Sequence, residues 1–417
     1  MKKLLFTSAA VLAGMAAQAD LIDREGGIKI GQRMTLRPYV SFSYSYDTNV
    51  DSANQSRGSS SWCVNPGLSL DYRGGNWNVV GSVYYNYSGY TKYNDELQHH
   101  NYGEQLSFDW SSVEGGKGWS LMLSESIQSL TQNDDMTHDG GKGLGRDRFQ
   151  INLNGALNYR FNEQLHAGVN GGYYFLDYAN DSERYGALYG WSRWDAGAHI
   201  GYTLTRWTDF FISGTYNGYT QDNDCDLRGE YGPKKGNEIS GTSKGYTIHG
   251  GIGSYLTDRI QYRVSAGMSH FEYGDISKSN GFTYQGDLNW QITETLHMML
   301  LASSYYQPSE REYGASTRND CVSWGVAKSF IRGKLNATFD VAYRHEMHDY
   351  VEYDYSDYYL DIVTFRLGLS YSLNRFFSIF GSVEYQTELN DGNSDVDVGD
   401  AYDYDRWRGT IGVRLAY

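Results

Sequence analysis

The chain has 417 residues and a net charge of −15, with 39 Tyr, 10 Trp and 49 Gly beside only 4 Pro. An acidic balance argues against nucleic-acid binding. The three cysteines form no Cys-x-x-Cys or Cys/His cluster, so neither a structural metal nor another cofactor is expected. Mean hydropathy is −0.59, too polar for a bundle of membrane helices. A membrane β-barrel needs only half of each strand to be apolar, so it escapes that exclusion.

The N-terminus reads as a secretory signal peptide over residues 1–19. Lys2 and Lys3 form the positive region, Leu4 to Ala16 the apolar region, and Ala17-Gln18-Ala19 the small-residue cleavage site. The apolar run falls short of the ~20 residues that a spanning helix requires. Residues 20–33 are expected to form a periplasmic segment, either a tail or a lumen plug, and 34–417 the barrel.

The first strand opens at Met34. Val40, Phe42 and Tyr44 alternate with Arg37, Tyr39 and Ser41, which predicts one lipid face and one lumen face. The segment carries Leu36 and Pro38, then Tyr46, Asp47, Asn49 and Val50, after a Gly-Gly-Ile and Gly31 lead-in. It resembles the opening of the β-barrel porin family often called type 2, with a Leu-x-Pro start and an aromatic-Asp-x-Asn-hydrophobic end. That resemblance implies a barrel of the bacterial outer membrane and names no solute. Some members of the family sit beside exopolysaccharide assembly genes, which motivates an export alternative.

Short connections then alternate with long ones along the chain. The short ones are 73–76, 112–118, 162–164, 205–208, 257–259, 293–295, 332–333 and 374–375. The long ones are 47–61, 91–100, 131–147, 179–190, 220–243, 272–280, 307–318, 346–357 and 388–403. Strict alternation predicts an all-β, transmembrane, antiparallel up-and-down barrel of about 18 strands, or 16, with the short turns periplasmic. Several short turns put an aromatic before a Thr or Asn, as in Tyr202 to Thr205 and Tyr371 to Asn374. Those aromatics are expected to form a girdle.

Alternation also assigns the wall. Pore-lining candidates are Arg37, Arg148, Arg160, Arg263, Arg366, Glu384, Arg406, Arg408 and Arg414, with Arg193, Arg344, Asp71, Asp109, Asp195, Asp287, Asp340 and Glu346 on the same face. Rings of such charge set ion preference in a pore, unless the groups neutralise one another across strands. Tyr39, Tyr84, Tyr174 and Tyr305 also point inward, as space-fillers or as platforms for sugar. His166, His199, His249 and His297 fall on separate strands with no spacing that ties one to a particular Ser and carboxylate. No enzyme is therefore expected.

The outer loops are acidic. Glu346, Asp349, Glu352, Asp354 and Asp357 come without a Lys or Arg, and so do Asp391, Asp395, Asp397, Asp400, Asp403 and Asp405. They keep the loops soluble or hold divalent cations against lipopolysaccharide. Cys225 lies in the longest loop, and a disulfide to Cys63 or Cys321 would pin that loop over the pore.

The last strand has Trp407, Ile411, Val413, Leu415 and Tyr417 on one face and Arg408, Thr410, Gly412 and Arg414 on the other. Trp407, Val413, Leu415 and the closing Tyr417 resemble the assembly signal of bacterial outer-membrane proteins. The expected partners are therefore outer-membrane lipid, lipopolysaccharide and the barrel-assembly machinery. The function read from these elements is passive diffusion of small hydrophilic solutes. The alternatives are a conduit for polysaccharide export and a closed adhesion or envelope-structural barrel.

Overall fold

A computed structural model describes residues 27–50, 57–92, 94, 98–132, 146–178, 191–205, 208–221, 242–273, 277–308, 314–350, 358–391 and 404–417. The proposed signal peptide, Cys225 and most of the acidic loop residues lie outside the described residues. A three-residue strand, β1 (Ile28–Ile30), precedes 18 barrel strands. These are β2 (Met34–Asp47), β3 (Ser59–Arg73), β4 (Trp77–Tyr90), β5 (His99–Ser111), β6 (Gly118–Gln132), β7 (Arg146–Arg160), β8 (Leu165–Tyr178), β9 (Trp191–Thr203) and β10 (Thr208–Gln221). They continue as β11 (Thr242–Thr257), β12 (Ile260–Tyr273), β13 (Ser277–Gln291), β14 (Leu296–Pro308), β15 (Gly314–Phe330), β16 (Leu335–Tyr350), β17 (Tyr358–Ser372), β18 (Phe377–Asp391) and β19 (Tyr404–Ala416).

Each strand pairs antiparallel with its chain neighbours. β19 closes the barrel on β2, in register from Ala416↔Tyr39 to Arg408↔Asp47. At the seam Tyr417 N donates to Pro38 O at 3.0 Å and Thr48 N to Trp407 O at 2.9 Å. Below the end of β19 the edge of β2 would stand open. There β1 takes its place, pairing Ile28↔Leu36 and Ile30↔Met34. An unpaired strand edge is a liability that a short added strand removes. The described part of the N-terminal segment thus includes an edge strand.

The short turns fall where the sequence placed them, and their chemistry repeats. Asn162 Oδ1 accepts from Gln164 N and Leu165 N at 2.8 and 2.7 Å. Asn374 Oδ1 accepts from Phe376 N and Phe377 N at 2.8 and 2.9 Å. Thr293 Oγ1 does the same for Thr295 N and Leu296 N. A short polar side chain that satisfies the backbone two and three residues on makes a tight turn at low cost.

The alternation holds in three dimensions. Val40, Phe42, Ile411, Leu415 and Tyr417 are exposed on the outer face, which in a membrane is the lipid face. Paired aromatics mark both ends of that face, with Tyr72 stacked on Trp77 and Phe376 on Tyr417 at the turn side, and Tyr385 tilted against Trp407 and Trp194 against Tyr216 at the loop side. Proline interrupts the ladder where expected: β3–β4 pairing jumps from Val64↔Tyr87 to Gly67↔Tyr84 around Pro66, which has no N–H to give.

Two features depart from the sequence reading. The strands run further outward than their apolar pattern. Residues 272–280, read as a long loop, are mostly ladder, with Glu272↔Lys278 and Tyr273↔Ser277 paired. Second, the β13–β14 ladder stops at Gln285↔Ser303, although β14 goes on pairing with β15 up to Pro308↔Ser316. Beyond the stop, Tyr306 packs against a cluster of inward-facing side chains.

Candidate pore wall and outer mouth

On the inward face of the strands, most of the charged side chains are neutralised. Arg366 donates from Nε to Glu384 Oε2 at 2.7 Å. Arg408 reaches Glu384 Oε1 at 3.8 Å and Asp47 Oδ2 at 3.1 Å. Arg406 donates from Nε to both oxygens of Asp47, at 3.0 and 2.9 Å. Arg366, Glu384, Arg408, Asp47 and Arg406 thereby form one alternating chain of charge across β17, β18, β19 and β2. Asp47 Oδ1 also accepts from Asn49 N at 3.0 Å, and Asn49 and Val50 are buried beside it. The Asp-x-Asn-Val segment is thus the buttress of the closing seam.

Elsewhere Arg37 lies 3.8 Å from Asp71, Arg193 3.7 Å from Asp195 and Arg344 2.9 Å from Glu346. Arg263 stacks on Phe211 at 4.0 Å and interacts with Asp287. Arg414 stands apart. Its guanidinium lies 4.1 Å over the Tyr39 ring, and among the described residues it has no carboxylate partner. Arg148 and Arg160 likewise face the lumen without an ion pair among the described residues. Among the described residues, the wall arginines without a carboxylate at ion-pair distance are these three and Arg263, which still feels the charge of Asp287.

Two of the inward histidines lie together, the rings of His166 and His199 being 6.1 Å apart. His166 lies 3.6 Å from Asp209, and His249 Nε2 lies 2.8 Å from Thr283 Oγ1. No group of three or more His, Cys, Asp or Glu that could hold a metal occurs among the described residues. Cys63 and Cys321 are free thiols, Cys63 Sγ donating to Asn86 Oδ1 at 3.0 Å.

The two ends of the lumen differ. Near the short turns, wall side chains are open to water: Val80 is 49% exposed and Arg73 76%. Near the long loops they are buried. Leu176, Trp191, Tyr219 and Phe271 form an apolar cluster, with Tyr174 and Tyr306 packed on it. Across the lumen Leu360 and Glu388 are almost fully buried. By parity these residues are inward strand ends. Their clustering depends on strands far apart in the chain, so no local signal marks it.

Two carboxylates face outward where alternation expects lipid. Glu104 on β5 sits opposite Val83 and Ile127, and Glu125 on β6 opposite Leu106 and Leu153. Neither has an ion pair or hydrogen bond among the described residues. Period-two alternation by itself places both on this face.

A closed antiparallel barrel with an aromatic-bounded apolar exterior and a polar interior defines a transmembrane β-barrel of the outer-membrane type. A family model described as "Putative beta-barrel porin 2" matches residues 192–417, and the chain belongs to that family. The matched span excludes the Met34 to Val50 segment that carried the resemblance. No curated protein matches the chain. Among solved structures, it is similar to Pseudomonas aeruginosa OpdK with vanillate, at 11% identity and a TM-score of 0.44, over 92% of this chain and 99% of that one. It is also similar to the siderophore receptor PirA from Acinetobacter baumannii, at 7% identity and a TM-score of 0.48, over 94% and 81%. These likenesses are too distant to bear on substrate.

Proposed function

We propose that this protein is an outer-membrane channel for passive diffusion of small hydrophilic solutes. The observation that carries the reading is the charge-paired polar wall of an 18-strand barrel. A barrel this wide is not filled by its own wall side chains, whereas about eight strands would be. Cross-strand pairing gives a wet wall without a strong field, which suits neutral or weakly charged solutes. Insertion through the barrel-assembly machinery, guided by the last strand, is part of the same proposal.

Flux is set at the outer end, where the Leu176, Trp191, Tyr219 and Phe271 cluster lines the mouth. Purified protein in planar bilayers is expected to give stepwise conductance, and Trp191→Ala with Phe271→Ala is expected to enlarge each step. The buried mouth also favours a second reading, a closed adhesion or envelope-structural barrel. Silence from both wild type and the widened variant would select it.

A further inference from the structure

The outward face of β11, β12 and β13 changes character in three successive rows. Ile248, Met268 and Phe282 lie side by side and are apolar and exposed. One step outward come Tyr246, His270 and Asn280. The outermost row is Lys244, Glu272 and Lys278. Hydrocarbon, interface and headgroup levels of a bilayer call for this order of side chains, with amphipathic rings between lipid tails and charge.

The outer row is a convergent site. Lys244 Nζ lies 2.9 Å from one oxygen of Glu272, and Lys278 Nζ lies 3.4 Å from the other. His270 Nε2 shares that second oxygen at 2.9 Å, while its Nδ1 faces Asn280 Oδ1 at 2.5 Å. One carboxylate thus gathers two ammonium groups and an imidazole. Among the described residues of this group the net charge is positive, and the lysine side chains remain 59% and 61% exposed. Each ammonium has three N–H donors, and the contact to Glu272 uses one of the three on Lys278.

The rim is not uniformly basic. On β17 and β19, Asp361 accepts from Tyr343 Oη at 2.6 Å and lies 2.8 Å from His345 Nδ1, while Asp405 accepts from Tyr385 Oη at 2.7 Å. The β11–β13 sector is therefore a local positive site at the level where lipid phosphates lie, on the long-loop side that faces outward in barrels of this kind.

We infer that Lys244 and Lys278, held together by Glu272, bind the phosphate of a phosphorylated lipid headgroup in the outer leaflet. The Tyr246 ring, 5.0 Å from the His270 ring, borders the site on its lipid side. The occupant is a membrane lipid rather than free phosphate, because the site opens onto the lipid-facing surface directly above Ile248, Met268 and Phe282.

Native mass spectrometry of the full-length folded protein with diphosphoryl lipid A tests this. Wild type is expected to retain the lipid and to discriminate against its dephosphorylated form. The K244Q/K278Q double variant should bind roughly 5–30-fold more weakly, at about one kcal/mol per lysine. Lys328→Gln, which removes an outward lysine at the opposite end of β15, should change nothing. The single variant Lys278→Gln should bind roughly 5-fold more weakly, so a double variant that fails to fold leaves the proposal testable. Equal retention by wild type and double variant, indifference to the lipid's phosphates, or full displacement by millimolar inorganic phosphate would overturn it.

Discussion

Arg406 grips Asp47 across the seam that closes the barrel, its guanidinium donating to both carboxylate oxygens with only 3% and 8% of the two side chains exposed. The partners are 359 residues apart in the chain. A buried pair of this kind adds little beyond well-packed apolar residues, but removing one member strands the other's charge.

Asp47→Asn is therefore expected to destabilise the barrel by about 3–5 kcal/mol, because buried Arg406 loses the carboxylate it grips and Arg408 keeps only Glu384. Urea unfolding in lipid vesicles measures this. The double variant Asp47→Asn, Arg406→Met should recover part of the loss. A single variant as stable as wild type would show that the seam does not depend on the pair.

Wall charge predicts selectivity. Arg414, stacked on Tyr39 without a carboxylate among the described residues, should act as an uncompensated cation. Arg414→Ser is expected to shift the reversal potential in a salt gradient toward cation preference. Removing Arg366 and Glu384 together deletes a neutral pair and should leave the potential nearly unchanged. Equal shifts in both variants would contradict this division of the wall.

Glu125 faces the apolar exterior between Leu106 and Leu153. A carboxylate on the lipid face of a barrel is unfavourable in a depth-dependent way, by less than a lysine or arginine would be. Glu125→Leu is expected to stabilise the protein by about 1–2 kcal/mol in lipid. A loss of stability, or loss of an oligomer on native gels, would instead make this face a protein contact.

His270 sits at the interface row, outside the hydrocarbon level. Its pKa is raised, first by the hydrogen bond to Glu272 and then by that to Asn280, against the opposing charge of Lys278. Glu272 is held down to about 2, chiefly by His270 and then by Lys244. A raised folded-state pKa means that the stabilising contribution is full below the ordinary imidazole value, near 6.5, and is lost as pH rises through the folded value. An NMR titration should find His270 still protonated above pH 6.5, and the Glu272→Gln variant should titrate lower. A midpoint at or below 6.5 in wild type would contradict the contact.

Much of this barrel was legible because a strand's side chains alternate with period two. Once Val40, Phe42 and Tyr44 are read as apolar, Arg37, Tyr39 and Ser41 can only face the other way. Asn162, Thr293 and Asn374 marked turns because their short polar side chains satisfy the neighbouring backbone. Parity thus placed Arg406, Arg408 and Arg414 on the lumen side and Trp407, Leu415 and Tyr417 on the lipid side, and the turns counted the strands.

What each inward or outward group meets was decided only by closure of the barrel. Asp47 joins Arg406 because β19 returns to β2, and register between strands so distant in sequence leaves no local trace. The apolar mouth is assembled from β8, β9, β10 and β12 for the same reason. Lys244, Glu272 and Lys278 were hidden differently. Strand ends that rise out of the hydrocarbon need no apolar face, so their sequence reads as loop. Only backbone pairing between strands shows that they are sheet and brings their charges into one row.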